Sequence, residues 1–436
     1  MGSAFSLQRP VKVLAAACLL LLLIIAAAHG GPHAEATSLR PTAVHRKLAL
    51  RSELTTKVNA PASVADDATT FQEAPNMRRK YASARRLFSE KAPAPESGVN
   101  LNVDSYGAAG DGKSDDTKAF QQAWTKACSS SQPAVLTIPS GKKYLVKETV
   151  LSGPCKSPVT FKLDGTLVAP KDKSAWSKQS LPRWIRFSNV EKLTVTSTGT
   201  MDGNGNVCWK GSCRTNKKNP CTVAPTALSF TSCNHLKVEN IKLLNSPQIH
   251  LWVEDCRDVT LSHLTITAAG NSPETDGIHI SRSEDVRILK ATIKTGDDCI
   301  SIETGTKHLY ANNIECGPGH GISIGSLGDH NSEAQVSDIT IDGAHLSGTL
   351  FGARIKSWQG GRGYAKDIKF MNMVMDNVKN PIIIDQNYCI TSDPTKPKVC
   401  EQQESAVEFS NILFKNIKGT TATKDAIKLH CSKAFP

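Results

Sequence analysis

Aromatic side chains are sparse in this 436-residue sequence, at 6%, and no Asn-x-Ser/Thr site occurs anywhere along it. The second absence excludes N-glycosylation, whatever compartment the chain reaches. No Cys-x-x-Cys pair is present, so Cys208, Cys213 and Cys221 lack the spacing of a zinc site. Apolar runs are equally scarce. The one long example, residues 13–28, follows Arg9 and Lys12 and is too short to cross a bilayer comfortably. It reads as a secretory leader over residues 1–36, with cleavage at Ala34-Glu-Ala36 or nearer Gly30, leaving no membrane association in the mature chain. No nucleic-acid module or aromatic-basic pattern accompanies the charge, which argues against a nucleic-acid partner.

What is present is enough for a core: 39% apolar and 21% charged residues exclude a wholly disordered chain. The formal net charge of +12 divides evenly, with +6 in residues 1–97 and +6 in residues 98–436. A basic exported protein suits an anionic partner, and charge alone does not choose among nucleic acid, acidic lipid and anionic polysaccharide. Twelve cysteines run from Cys128 to Cys431, and in an oxidising compartment they predict several disulfides, up to six, with the pairing open.

Residues 37–97 are rich in Ala, Pro, Ser and Thr with basic clusters such as Met77-Arg-Arg-Lys80, and read as a disordered prosegment or linker. The folded domain is expected over residues 98–436. Ser114-Asp-Asp-Thr-Lys-Ala-Phe-Gln-Gln-Ala-Trp124 supplies a polar cap and helical apolar spacing, so one short N-terminal helix is expected. After it, short β-branched segments take over: Leu193-Thr-Val195, Leu236-Lys-Val238, Val259-Thr-Leu261, Val286-Arg-Ile288, Ile339-Thr-Ile341 and Ile368-Lys-Phe370. Such recurrence marks a stacked all-β solenoid, a parallel β-helix.

The repeat is clearest in the middle, where Asp276-Gly-Ile-His-Ile280, Asp298-Cys-Ile-Ser-Ile302 and His320-Gly-Ile-Ser-Ile324 superpose at offsets of 22 residues. Equivalent residues of neighbouring coils lie about 4.8 Å apart, so Asp276, Asp298 and His320 are expected to form a ladder, with Asp297 beside it. Carboxylates at about 5 Å and an effective dielectric near 20 repel by roughly 3–4 kcal/mol, which drives their pKa values apart. One acid then holds a proton while another stays ionised, as general acid–base chemistry requires. An isolated turn Asp is ordinarily structural; here three acids and a His converge beside Gly296, Gly317 and Gly319. Strict alternation would point the ladder into the core, which places these residues in the turn before each strand. Further on, Arg354-Ile-Lys356 puts two cations on one strand face, a pair suited to an anionic ligand.

Four ordered motifs, Ser272-Pro-Glu-Thr-Asp-Gly-Ile-His279, Gly296-Asp-Asp-Cys299, Gly319-His-Gly-Ile-Ser-Ile-Gly-Ser326 and Arg354-Ile-Lys356, closely resemble the motif set of plant polygalacturonases, glycoside hydrolase family 28. Val103-Asp-Ser-Tyr-Gly-Ala-Ala-Gly-Asp-Gly112 and Asp385-Gln-Asn-Tyr-Cys389 extend the likeness over residues 98–436. The resemblance implies a right-handed parallel β-helix that cleaves α-1,4 bonds between galacturonate units of demethylated pectin by single displacement with inversion, without metal or cofactor. It implies Asp297 as general acid, Asp276 and Asp298 as the pair that holds and activates water, and His320 as the group tuning the acid. Arg354, Lys356 and Tyr388 would bind substrate. An inverting pair stands about 6.5–9.5 Å apart, which suits Asp297 opposed to Asp276 and Asp298. A secreted, cell-wall monomer acting on an anionic polysaccharide is the expectation.

One departure stands out. The family usually has Asn-Thr-Asp where this chain has Glu274-Thr275-Asp276, an acceptor carrying charge in place of a donor amide. Two alternatives follow: a catalytically weak pectin-binding wall protein on the same fold, or a hydrolase for a substituted pectin.

Overall fold

The structure is a computed structural model. It describes residues 98–176, 182–219, 221–390 and 402–435, with the backbone of Ser3–Leu7 and Val11–Val13. The expected linker over residues 37–97, and the expected leader apart from those two short strands, lie outside the described residues. Ser3–Leu7 and Val11–Val13 pair antiparallel with Glu408–Thr421, along the edge of the last coil.

Parallel strands dominate and wind as a right-handed β-helix. All six repeated segments fall in one sheet in stacked order: Val195 lies beside Val238, Val238 beside Leu261, Leu261 beside Ile288, and Ile341 beside Phe370. Between Ile288 and Ile341 stands Ala311 of Lys307–Cys316, a coil that the segment spacing passes over. The residue before each segment explains the register. Lys192, His235, Asp258, Asp285, Asp338 and Asp367 all have φ between 51° and 58°, the left-handed corner that turns the chain into the next strand. Asn and Asp tolerate that corner best, which is why the segments follow them so often.

Inside, the coils stack like on like. Leu251, Ile278, Ile300, Ile322 and Ala353 form one aliphatic row, each fully buried. Phe187 stacks on Phe230 and Phe370 on Phe414, at 5.4 Å and 5.5 Å between centroids. Burying such rows removes apolar surface from water in every coil, at about 25 cal/mol per Å2.

The helix Thr117–Cys128 covers the N-terminal end, burying Ala119, Phe120, Ala123 and Trp124. Its Asp116 makes no side-chain cap; the carboxylate instead accepts from Ala109 N at 2.6 Å and Gly110 N at 3.3 Å, tying down the Gly/Asp-rich loop. A second helix of one turn, Asn206–Lys210, was not expected from the sequence.

Several disulfides form, as expected, but four free thiols rule out the upper count of six. Cys128–Cys155, Cys213–Cys221 and Cys299–Cys316 are bridged, and Cys389 is also disulfide-bonded. Cys208, Cys233 and Cys256 are buried thiols and Cys431 an exposed one. Cys233 and Cys256 belong to successive coils, where Cys233 N donates to Cys256 Sγ at 3.2 Å, and they serve as small core hydrophobes.

Candidate active site

The second sheet carries the acids. Its registers run Leu228 to Leu251, Ile278, Ile300, Ile322 and Ala353 without slip, so the residue after each forms an outward row: Ser229, Trp252, His279, Ser301, Ser323 and Arg354. Asp276, Asp298 and His320 each stand two residues before a paired isoleucine, and the backbone pairing continues through them. Gly277 N donates to Asp298 O and Cys299 N to Gly321 O. They lie in the turn that enters each strand, which keeps them out of the aliphatic core.

Two glycines set that turn. A Cβ on Gly296 would stand 2.0 Å from Ser272 O, so only glycine lets the turn holding Asp297 and Asp298 rest on the turn holding Glu274 and Asp276. Gly319 has φ +138° and passes so near Asp297 O that a Cβ would lie 2.5 Å from it. Thr275, fully buried, locks the same junction, accepting from Gly296 N at 3.0 Å and donating to Ser272 O at 3.0 Å.

The four expected catalytic side chains are brought together. Asp297 Oδ1 accepts from His320 Nδ1 at 2.8 Å and from Asp298 N at 2.8 Å. Burial alone would lower the His320 pKa, but the hydrogen bond and charge of Asp297 outweigh it and raise the imidazole above its ordinary value. Asp276 Oδ2 accepts from Ser301 Oγ at 2.6 Å, with His279 Nδ1 at 3.4 Å. Burial pushes the Asp276 carboxyl up, and the charges of Asp297 and Asp298 add to it.

Asp298 moves the other way. Burial would raise it, yet Arg354, Lys356 and His320 hold it down to about 2. Its Oδ1 accepts from Arg354 at 2.6 Å and Ser323 Oγ at 2.8 Å, and its Oδ2 from Lys356 Nζ at 3.1 Å. The two cations expected to face a ligand therefore first neutralise an acid. Arg354 also lies 4.2 Å from the Phe351 ring centre, and Lys356 5.3 Å from that of Tyr388.

Ser301, Ser323, His279 and Glu303 were not singled out from the sequence. The signal for the serines was there: each is the middle residue of a repeated Ile-Ser-Ile, on the same outward row. Glu303 sits half-buried beside the cluster, and burial raises its carboxyl.

Asp297, Asp298 and His320 offer ligand atoms close enough for one ion. Both oxygens of Asp298 already accept from cations, so a divalent ion there would compete with Arg354 and Lys356 at close range. The donor set does not fit a metal.

A family model described as "Glycosyl hydrolases family 28" matches residues 128–436. A polygalacturonase of Persea americana is 50% identical over 354 residues, 81% of this chain and 75% of that protein. Polygalacturonase-2 of Solanum lycopersicum is 51% identical over 336 residues, 77% of this chain and 72% of that one. Among solved structures, a polygalacturonase from Erwinia carotovora ssp. carotovora superposes with a TM-score of 0.60 at 23% identity, covering 78% of this chain and 96% of that one, a likeness of fold.

Proposed function

Because this chain belongs to glycosyl hydrolases family 28, we propose that it is a polygalacturonase, hydrolysing α-1,4-galacturonosyl bonds of demethylated pectin with inversion. The observation that carries this reading is the opposed tuning of Asp276 and Asp298 beside a His-bonded Asp297.

Each group takes the role its surroundings favour. Asp297 is the general acid: it supplies the proton to the leaving glycosidic oxygen, and His320, whose imidazole pKa is raised above its ordinary value by that neighbour, returns one to it across their hydrogen bond. Asp276, the more basic carboxylate, accepts the proton of the attacking water, and Ser301 orients it. Asp298 stays ionised and fixes Arg354 and Lys356. Arg354 and Lys356 are the cations of the cluster, and with Tyr388 beside Lys356 they are the groups that would meet a uronate carboxylate. The basic balance of the chain favours the same polyanion, and the leader pattern with the resemblance to plant enzymes favours an extracellular, cell-wall location.

The wall-protein alternative rested on Glu274. Its carboxylate is paired with Arg214 at 2.8 Å, so the charge that would repel substrate is compensated, and the catalytic reading is preferred.

Reducing-end release from polygalacturonate by the wild type and by Asp297→Asn tests the proposal. Loss of about 10²–10⁴-fold in the variant is expected; equal release by both would remove Asp297 from its role. NMR of the first-formed anomer tests inversion.

A further inference from the structure

Among the described residues Asp276 Oδ1 has no hydrogen-bond partner, while Oδ2 is held by Ser301 Oγ at 2.6 Å. Ser301 Oγ has a second neighbour, His279 Nδ1, at 2.7 Å. The parallel register explains both contacts: His279 is paired with Ser301 on the adjacent coil, and Asp276 lies in the turn three residues before His279. Direct approach of the imidazole to the acid is looser, at 3.4 Å, so the hydroxyl is the bridge.

A serine hydroxyl has one proton to give. Asp276, ionised as a base must be, only accepts, so the Ser301 proton points to Oδ2 and the oxygen is left to accept from a donor. That donor is His279 with its proton on Nδ1. Without it, one of the two short contacts would set acceptor against acceptor.

Packing fixes the ring. Trp252, one coil earlier, meets it edge-on with 4.8 Å between centroids and donates from Nε1 to Ser281 Oγ at 2.9 Å. Arg183, paired with Glu254 at 2.8 Å, lies 4.2 Å from the Trp252 ring centre. The His279 and Asp276 side chains are only 14% and 16% exposed, so little water competes for these bonds.

We propose that His279 is a positioning residue for the base: its Nδ1–H sets the Ser301 hydroxyl on Asp276 Oδ2 and so leaves Oδ1 as the atom that takes the proton of the attacking water. The inference rests on the polygalacturonase reading and deepens it by naming the accepting atom and the imidazole that frees it.

The Ser301 bond favours the ionised carboxylate and so opposes burial, which raises Asp276. Glu274, Asp297, Asp298 and Glu303 also act on Asp276 by their charge; Glu303 feels His279 and Lys356 as well. None of these acids changes in the variants below, so a displaced acid limb reports the lost hydroxyl bond.

Nitrogen NMR of the full chain carrying isotope-labelled histidine, with the His279 signals identified by their absence from His279→Leu, reads the tautomer without turnover. A protonated Nδ1 is expected, and a bare Nδ1 overturns the proposal. In His279→Leu kcat should fall about ten- to a hundredfold with little change in KM, and the acid limb of its pH profile should move to higher pH. His279→Asn offers an amide N–H in place of Nδ1–H and should recover most of the loss; a folded Asn variant as slow as Leu overturns the proposal. In a Ser301→Ala background His279→Leu should cost almost nothing more, because the imidazole acts through that hydroxyl, whereas additive losses overturn it. A protonated Nδ1 in a wild type that releases no reducing ends from polygalacturonate would sink the enzymatic reading and leave the hydrogen-bonded arrangement standing; release with a bare Nδ1 would do the reverse.

Discussion

His320 Nδ1 stands 2.8 Å from Asp297 Oδ1, one coil away along the axis. The pair ties the state of the acid to an imidazole whose pKa is raised above its ordinary value by that carboxylate. The rate should fall on the alkaline side as His320 loses its proton, above the ordinary imidazole range near 6.5. On the acid side it should fall as Asp276 gains one, above the usual carboxylate range, because burial raises it. In His320→Gln the alkaline limb no longer follows an imidazole, and kcat drops by about 10²-fold. A kcat/KM profile of reducing-end release against pH checks this; an unchanged alkaline limb would break the assignment.

Asp298 is held between Arg354 and Lys356 with both cations nearly buried, so removing one leaves the network undercompensated. Arg354→Met should cost about 3–5 kcal/mol in a denaturant titration at neutral pH. The sign with pH is fixed by the depressed carboxyl: its contribution is present above the ordinary Asp range and lost as pH falls through about 2. In Arg354→Met, Asp298 is less depressed, and the acid loss of stability moves to higher pH.

The acids were legible in the sequence because a coil of constant length turns sequence offset into spatial register. Asp276, Asp298 and His320 lie 22 residues apart, and the paired isoleucines that follow them confirm the stack. The partner of each charge was not legible. Arg354 and Lys356 read as a ligand clamp because nothing in one strand says that Asp298, more than 50 residues earlier, takes their charge. The cysteine count misled for a related reason: stacked coils place Cys233 and Cys256 in a core that uses thiols as apolar filler. Irregular loops defeat periodicity altogether, so the helix Asn206–Lys210 and the Arg214–Glu274 pair appear only in three dimensions.

Thr275 touches no reacting group, yet its Oγ1 accepts from Gly296 N and donates to Ser272 O, joining the two turns that hold the acids. Thr275→Val keeps the shape and removes both bonds, together with the 2.7 Å contact to Ser272 Oγ. The unpaired groups should cost about 1–3 kcal/mol of stability. Displacing Asp276 from Asp297 should lower kcat by about tenfold or more with little change in KM, since positioning is lost and binding is kept. Ser at position 275 restores the hydroxyl, and recovery of kcat in Thr275→Ser separates positioning from general loss of structure.

Cys299 follows Asp298 directly, and its disulfide to Cys316 closes a segment with a sequence separation of 17 that begins just after the turn holding Asp297 and Asp298. Closure of that size is worth about 3 kcal/mol, acting chiefly on the unfolded chain. The same acid is fixed independently by Ser323, Arg354 and Lys356. The double variant Cys299→Ala with Cys316→Ala should therefore lose about 3 kcal/mol in urea while retaining most of its kcat well below its melting temperature. Arg354→Met should lose both. If the disulfide variant folds and yet loses kcat to the same degree, the bridge rather than the ion pairs sets the position of Asp298, and the charge network around it becomes secondary.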